Sequence, residues 1–172
     1  MELQILDFIQ TFHNPILDRI FIFASAVAEH GEVWIAAAII LLFVKKLRPA
    51  AVLVFIALIL TFVSGELIIK NLVCRPRPFY ENPDLQLIIP PPSGFSFPSS
   101  HTATSFAAAT VIFIFSKKLG AAAIVLALII AFSRLYLYVH YPSDVLCGML
   151  LGIFWAVISV SLYRKLFRHN SV

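Results

Sequence analysis

The chain has 172 residues, 60% of them apolar and only 13% charged, whereas soluble globular domains carry about a quarter charged residues. One domain over residues 1–172 suits that length, and too little polar surface exists to keep such a fold in water. The formal charge of +4 does not argue for a nucleic-acid partner, because the basic residues stand at the ends of apolar runs rather than on one patch.

The opening stretch, Met1 to Ile9, lacks the basic start and small-residue cleavage site of a signal peptide. Its Leu3, Leu6, Ile9 and Gln10 fall near one another at helical spacing, which predicts a helix lying in the membrane interface. A helical crossing of a hydrocarbon core about 30 Å thick takes roughly 20 apolar residues. Six runs approach that description: Pro15 to Ala28, Val33 to Val44, Pro49 to Val73, His101 to Phe115, Leu119 to Leu137, and Asp144 to Tyr163. The first is short and carries Asp18 and Arg19 near its start. The expected fold is therefore all-α: an integral membrane six-helix bundle with an N-terminal interfacial helix. Cys74 and Cys147 have neither the number nor the spacing of a disulfide framework or metal site and are expected to be packing residues.

Charge distribution orients such a bundle. Lys45, Lys46 and Arg48 follow the second run, Lys117 and Lys118 the fourth, and Arg164, Lys165 and Arg168 the sixth. With six crossings these clusters share one side, which the positive-inside rule makes cytoplasmic, with both termini there. The opposite side then holds Lys70, Arg75, Arg77 and Arg134. Basic residues on the side that normally lacks them need a reason, and an anionic ligand supplies one. Arg75 is expected to do no more than snorkel to the interface.

Three segments on that side contain nearly all the polar chemistry: Lys70 to Pro78, Phe97 to Thr102, and Ser133 to Asp144. They resemble the type 2 phosphatidic acid phosphatase family, which shares its site with vanadium haloperoxidases and glucose-6-phosphatase. Lys70 and Arg77-Pro78 match that family's first motif, and Pro98-Ser99-Ser100-His101 the second, with Ser100 where Gly is usual. Ser133-Arg134, His140 and Asp144 match the third at full spacing. The resemblance implies hydrolysis of a lipid phosphate or diphosphate in the plasma membrane, on the periplasmic or exterior face. Substrates of small bacterial relatives include undecaprenyl diphosphate, phosphatidylglycerol phosphate, phosphatidic acid and the 1-phosphate of lipid A, and the first of these is favoured by analogy.

The residue types also make chemical sense by themselves. Arg77 and Arg134 can grip phosphate oxygens with guanidinium forks, and Lys70 adds a compact charge. Ser99, Ser100 and His101 open a helix, where free N–H groups and the helix dipole favour an anion. Asp144 can reach back to one His140 nitrogen and leave the other free to attack phosphorus, making a phosphohistidine. His101 is then the acid for the leaving oxygen and the base for water. His101, His140 and Asp144 could also be read as metal ligands, but the neighbouring cations would repel a divalent ion, so no metal or other cofactor is expected. A transporter built on the same cations, and phosphotransfer to a second lipid, remain open alternatives. Membrane lipids are the expected surroundings. The long, stiff stretch from Phe79 to Phe97 is expected to pack over the mouth of the site.

Overall fold

The structure, a computed structural model, describes residues 1–167, so Arg168 of the third basic cluster lies outside the described residues. Helix α1 (Glu2–Gln10) is followed by α2 (Pro15–Ala26). Asn14 starts α2: its side-chain oxygen accepts hydrogen bonds from the Ile16 and Leu17 N–H groups at 3.1 and 3.0 Å, with Pro15 in the first helical position. Helix α3 (Glu32–Leu42) and a short 3-10 turn lead to α4 (Arg48–Phe62), which runs on through a π-helical stretch, Val63–Ile69, into the single turn α5 (Lys70–Val73). After a long loop come α6 (Ser100–Phe115), α7 (Lys117–Tyr136) and α8 (Pro142–Phe167). No strand occurs among the described residues.

Helix α6 is the centre of the bundle and packs against α4, α7 and α8. Lipid gives no hydrophobic drive for one apolar helix to seek another, so association rests on close packing of small residues. Gly148, Gly152 and Ala156 recur every four residues on one face of α8. They meet α6 running in the same direction: a methyl group on Gly148 would lie 2.6 Å from the Ser99 carbonyl oxygen. One on Gly152 would lie 2.8 Å from the Ala107 nitrogen and closer still to the Ala103 carbonyl. On the opposite face of α8, Leu146, Leu150, Phe154 and Val157 are exposed, as side chains facing lipid tails should be.

Three helical segments are long and apolar enough to cross a membrane: Lys45–Glu81, Lys117–Tyr136 and Pro142–Phe167. The shorter apolar helices Glu32–Leu42 and Ser100–Phe115 run beside them. The expected first crossing, from Pro15 to Ala28, is not one. Asp18 accepts a hydrogen bond from the Tyr136 hydroxyl, the Phe21 ring packs at a tilt against Phe132 and Tyr136, and Ser25 accepts a hydrogen bond from Arg134. Those α7 residues occupy little more than its last turn, so α2 lies across the end of the bundle and never traverses it. The N-terminus consequently does not share an end with the C-terminal part of α8. Glu2 instead bonds Arg75 and Ser143, at the end where α8 begins. The basic clusters stay together at the far end, because removing the first pass moves only what precedes it.

The α6–α8 seam yields a test. Gly152→Val forces a branched side chain into the α6 backbone and should cost about 3 kcal/mol, read as a lowered thermal transition in detergent. Leu150→Val on the lipid face should leave that transition in place.

Candidate active site

At the end of the bundle where α6 and α8 begin lies a cavity of about 660 Å³. Ser100 and His101 reach it from the first turn of α6, Glu66 and Lys70 from the π stretch and α5, and Arg134 from the last turn of α7. Arg77 enters from the segment after α5, and His140 from the connection between α7 and α8. Ile89, Pro90, Pro91 and Pro92 close one wall, so the loop expected over the mouth does line the cavity. The sequence-predicted residues thus line one cavity, except Asp144, which stands behind His140, and Ser99. Ser99 is fully buried in the α6–α8 seam, where its hydroxyl accepts from Thr102 at 3.0 Å and its N–H donates to the Asp144 carbonyl at 3.1 Å. It faces the packing seam rather than the cavity.

Local backbone geometry aims His140. Tyr138 takes a left-handed conformation, φ 58°, which turns the chain sharply after α7, and its hydroxyl donates to Asp7 of α1 at 2.7 Å. Burial first, and Asp7 second, push that hydroxyl up to about 12. Pro142 then opens α8. The Asp144 carboxylate folds back to accept the Tyr141 N–H at 2.9 Å and stands 3.5 Å from His140 Nδ1. At that distance His140 Nδ1 makes no hydrogen bond among the described residues, and Nε2, on the cavity side, lies 3.3 Å from Arg77 Nη1. Burial holds the His140 imidazole well below its ordinary value, and the charges of Arg134, Arg77 and Lys70 depress it further. It is therefore neutral around neutral pH.

The three cations are fixed before any ligand arrives. Arg77 donates to the carbonyls of Gly94, Val139 and Ser93 at 3.1, 3.1 and 3.0 Å. Arg134 donates to the Ser25 hydroxyl, while its Nε and His101 Nε2 are buried with no protein partner among the described residues. Lys70 bonds Glu66 at 2.6 Å and Ser100 at 3.2 Å. Lys70, Arg77 and Arg134 are only 7%, 5% and 4% exposed. Among the described residues neither Arg77 nor Arg134 has a carboxylate within ion-pair distance. Burying charge without a partner is costly, so this excess of positive charge fits a site built for a multiply charged anion. Among the described residues, no three His, Cys, Asp or Glu side chains cluster as metal ligands would.

Arg75 is the residue whose role the sequence hid. Far from snorkelling, it donates to Asp144, Ser143 and Glu2, each at 2.7 Å. Its guanidinium lies 3.7 Å above the Tyr141 ring, a cation–π contact. Glu2 also accepts the Ser143 N–H at 2.9 Å, so α1 caps the start of α8 and braces the Asp144 carboxylate through Arg75. The available signal was Asp144 itself, since a fully buried carboxylate needs more than one histidine as company.

A family model described as the PAP2 superfamily matches residues 49–168. A relative from Sulfolobus acidocaldarius named undecaprenyl-diphosphatase is 33% identical over 76% of this chain, which spans 63% of that protein's length. Among solved structures, LpxE of Aquifex aeolicus superposes with a TM-score of 0.79 at 30% identity, over 93% of this chain and 94% of that one. A Bacillus subtilis transmembrane PAP2-type phosphatidylglycerolphosphate phosphatase superposes with a TM-score of 0.77 at 21% identity, over 96% and 85% of the two chains, and so shares the fold.

Arg75→Ala strips the buried Asp144 of its guanidinium and should lower stability by on the order of 2 kcal/mol. The measurement is thermal unfolding in detergent. Glu2→Gln, which keeps an acceptor for Ser143, should cost much less.

Proposed function

The chain belongs to the PAP2 superfamily, and on that premise we propose that it hydrolyses a lipid phosphate or diphosphate through a phosphohistidine, with undecaprenyl diphosphate as the favoured substrate. One arrangement carries this reading: His140, oriented by buried Asp144, offers Nε2 to a cavity walled by three nearly buried cations. Its Nε2 attacks phosphorus, the N–P bond forming as the bond to the leaving oxygen breaks. Lys70, Arg77, Arg134 and the Ser100 hydroxyl surround the charge that builds on the remaining phosphoryl oxygens. His101 gives its proton to the leaving oxygen, then takes one from water, which breaks the N–P bond and frees inorganic phosphate. His140 keeps its Nδ1 proton throughout, and the Asp144 carboxylate beside it stabilises the positive ring as it forms.

The choice of diphosphate rests on the name of the Sulfolobus acidocaldarius relative, together with a cavity whose cations outnumber its carboxylates. Basic clusters at the far end of the bundle support a cytoplasmic location for that end. The site, α1 and the N-terminus then face the periplasm or exterior, with the C-terminal end of α8 in the cytoplasm.

Rapid quenching with substrate labelled in its terminal phosphate should trap an acid-labile, base-stable phosphoprotein. His140→Ala should abolish the trapped label and lower kcat by about 10⁴-fold or more. Phosphate release at the wild-type rate in that variant would rule out the covalent route. Turnover should also persist in excess EDTA. Loss of activity that added divalent metal restores would instead point to a metal-assisted reaction.

A further inference from the structure

Glu66 has no part in the chemistry above, and its neighbour Ser100 stands where the family pattern has glycine. The structure joins them. Glu66 Oε2 accepts from Lys70 Nζ at 2.6 Å and from Ser100 Oγ, and Lys70 Nζ also reaches Ser100 Oγ at 3.2 Å. The carboxylate lines the same cavity as His101 and His140. Its position follows from the π-helical stretch Val63–Ile69, a departure from α geometry that is common at functional sites. Across this widened turn Glu66 and Lys70 both reach the cavity.

An ionised carboxylate presents two oxygens and a negative charge, as one edge of a phosphate does. Glu66 thus holds the donors that a phosphoryl oxygen would use at this corner. Ser100 has a single proton and cannot give it to Glu66 and to a phosphate at once. An anion entering the cavity has to take that proton from Glu66 and to sit beside a like charge.

We propose that Glu66 is a specificity-determining residue, an internal competitor for Lys70 and Ser100 that weakens the hold of the cavity on free inorganic phosphate. The inference rests on the reading of the cavity as a phosphoryl site. A lipid substrate is retained against this competition by its apolar tail. Inorganic phosphate has no tail, so the returning carboxylate helps to expel it. Glu66 thereby favours the substrate over the product that follows from it.

The test is the affinity of the full-length protein in detergent for inorganic phosphate. Affinity is measured by calorimetry and, independently, as Ki against lipid-phosphate hydrolysis. Glu66→Gln keeps an acceptor for Lys70 and Ser100 but removes the charge, and should tighten phosphate binding by roughly tenfold. A carboxylate that merely props Lys70 in place predicts the opposite sign, so unchanged or weaker binding overturns the proposal. Calorimetry keeps this outcome separate from that of the hydrolysis proposal: absence of turnover with phosphate still binding defeats the latter alone.

Discussion

Asp144 brings a carboxylate into the interior of an apolar bundle, with no exposed surface. An isolated buried charge of that kind costs several kcal/mol. The chain meets that cost with one partner from a distant part of the sequence, Arg75, and two from just before Asp144, the Tyr141 N–H and the His140 ring. Each partner is thereby fixed. Arg75 brings Glu2 and helix α1 with it, the Tyr141 bond shapes the start of α8, and the His140 ring stands beside the carboxylate with Nε2 toward the cavity. The arrangement has the logic of a buried carboxylate orienting a histidine in acyl-transfer enzymes, rebuilt at the mouth of a membrane bundle.

The rest of the packing carries that constraint across to the second histidine. Small residues along α8 let α6 approach until the Ser99 N–H reaches the Asp144 carbonyl at 3.1 Å. The first turns of the two helices are tied at that point, one bearing His101 and the other following His140. Tight, dry contact between them leaves little freedom for the two imidazoles to drift apart. Catalytic groups on rigid elements keep the alignment that phosphoryl transfer needs. The cations come from three further elements, each held by hydrogen bonds within the protein, so the positive field is assembled in advance.

The central helices and the clustering of the site residues were legible because both rest on local pattern: apolar length for the helices and fixed spacings for Lys70, Arg77, His101, Arg134, His140 and Asp144. Helix α2 was misread for the same reason. Its Ile16, Leu17, Ile20, Phe21, Ile22 and Phe23 have the composition of a crossing. Only the long-range bonds of Asp18 to Tyr136 and of Ser25 to Arg134 reveal a helix lying across the bundle end. Asp18 and Arg19 were the available hint. The grouping of the basic clusters at one end depends only on the alternation of the later helices, whereas Glu2 lies at the other end, where α8 begins. Arg75 was lost to an overly strict motif, and its partners, Glu2 and Asp144, lie far away in the sequence. Ser99 matched the motif, yet it packs in the seam, since spacing along a helix start does not say which way a side chain turns.

The most direct measurement is a structure of the full-length protein with orthovanadate, a mimic of the phosphoryl group in transfer. The account predicts vanadium bonded to His140 Nε2, its oxygens reached by Lys70, Arg77 and Arg134, and His101 placed at the apical oxygen opposite His140. Vanadate bonded to His101, or held outside the cavity with His140 untouched, would contradict it.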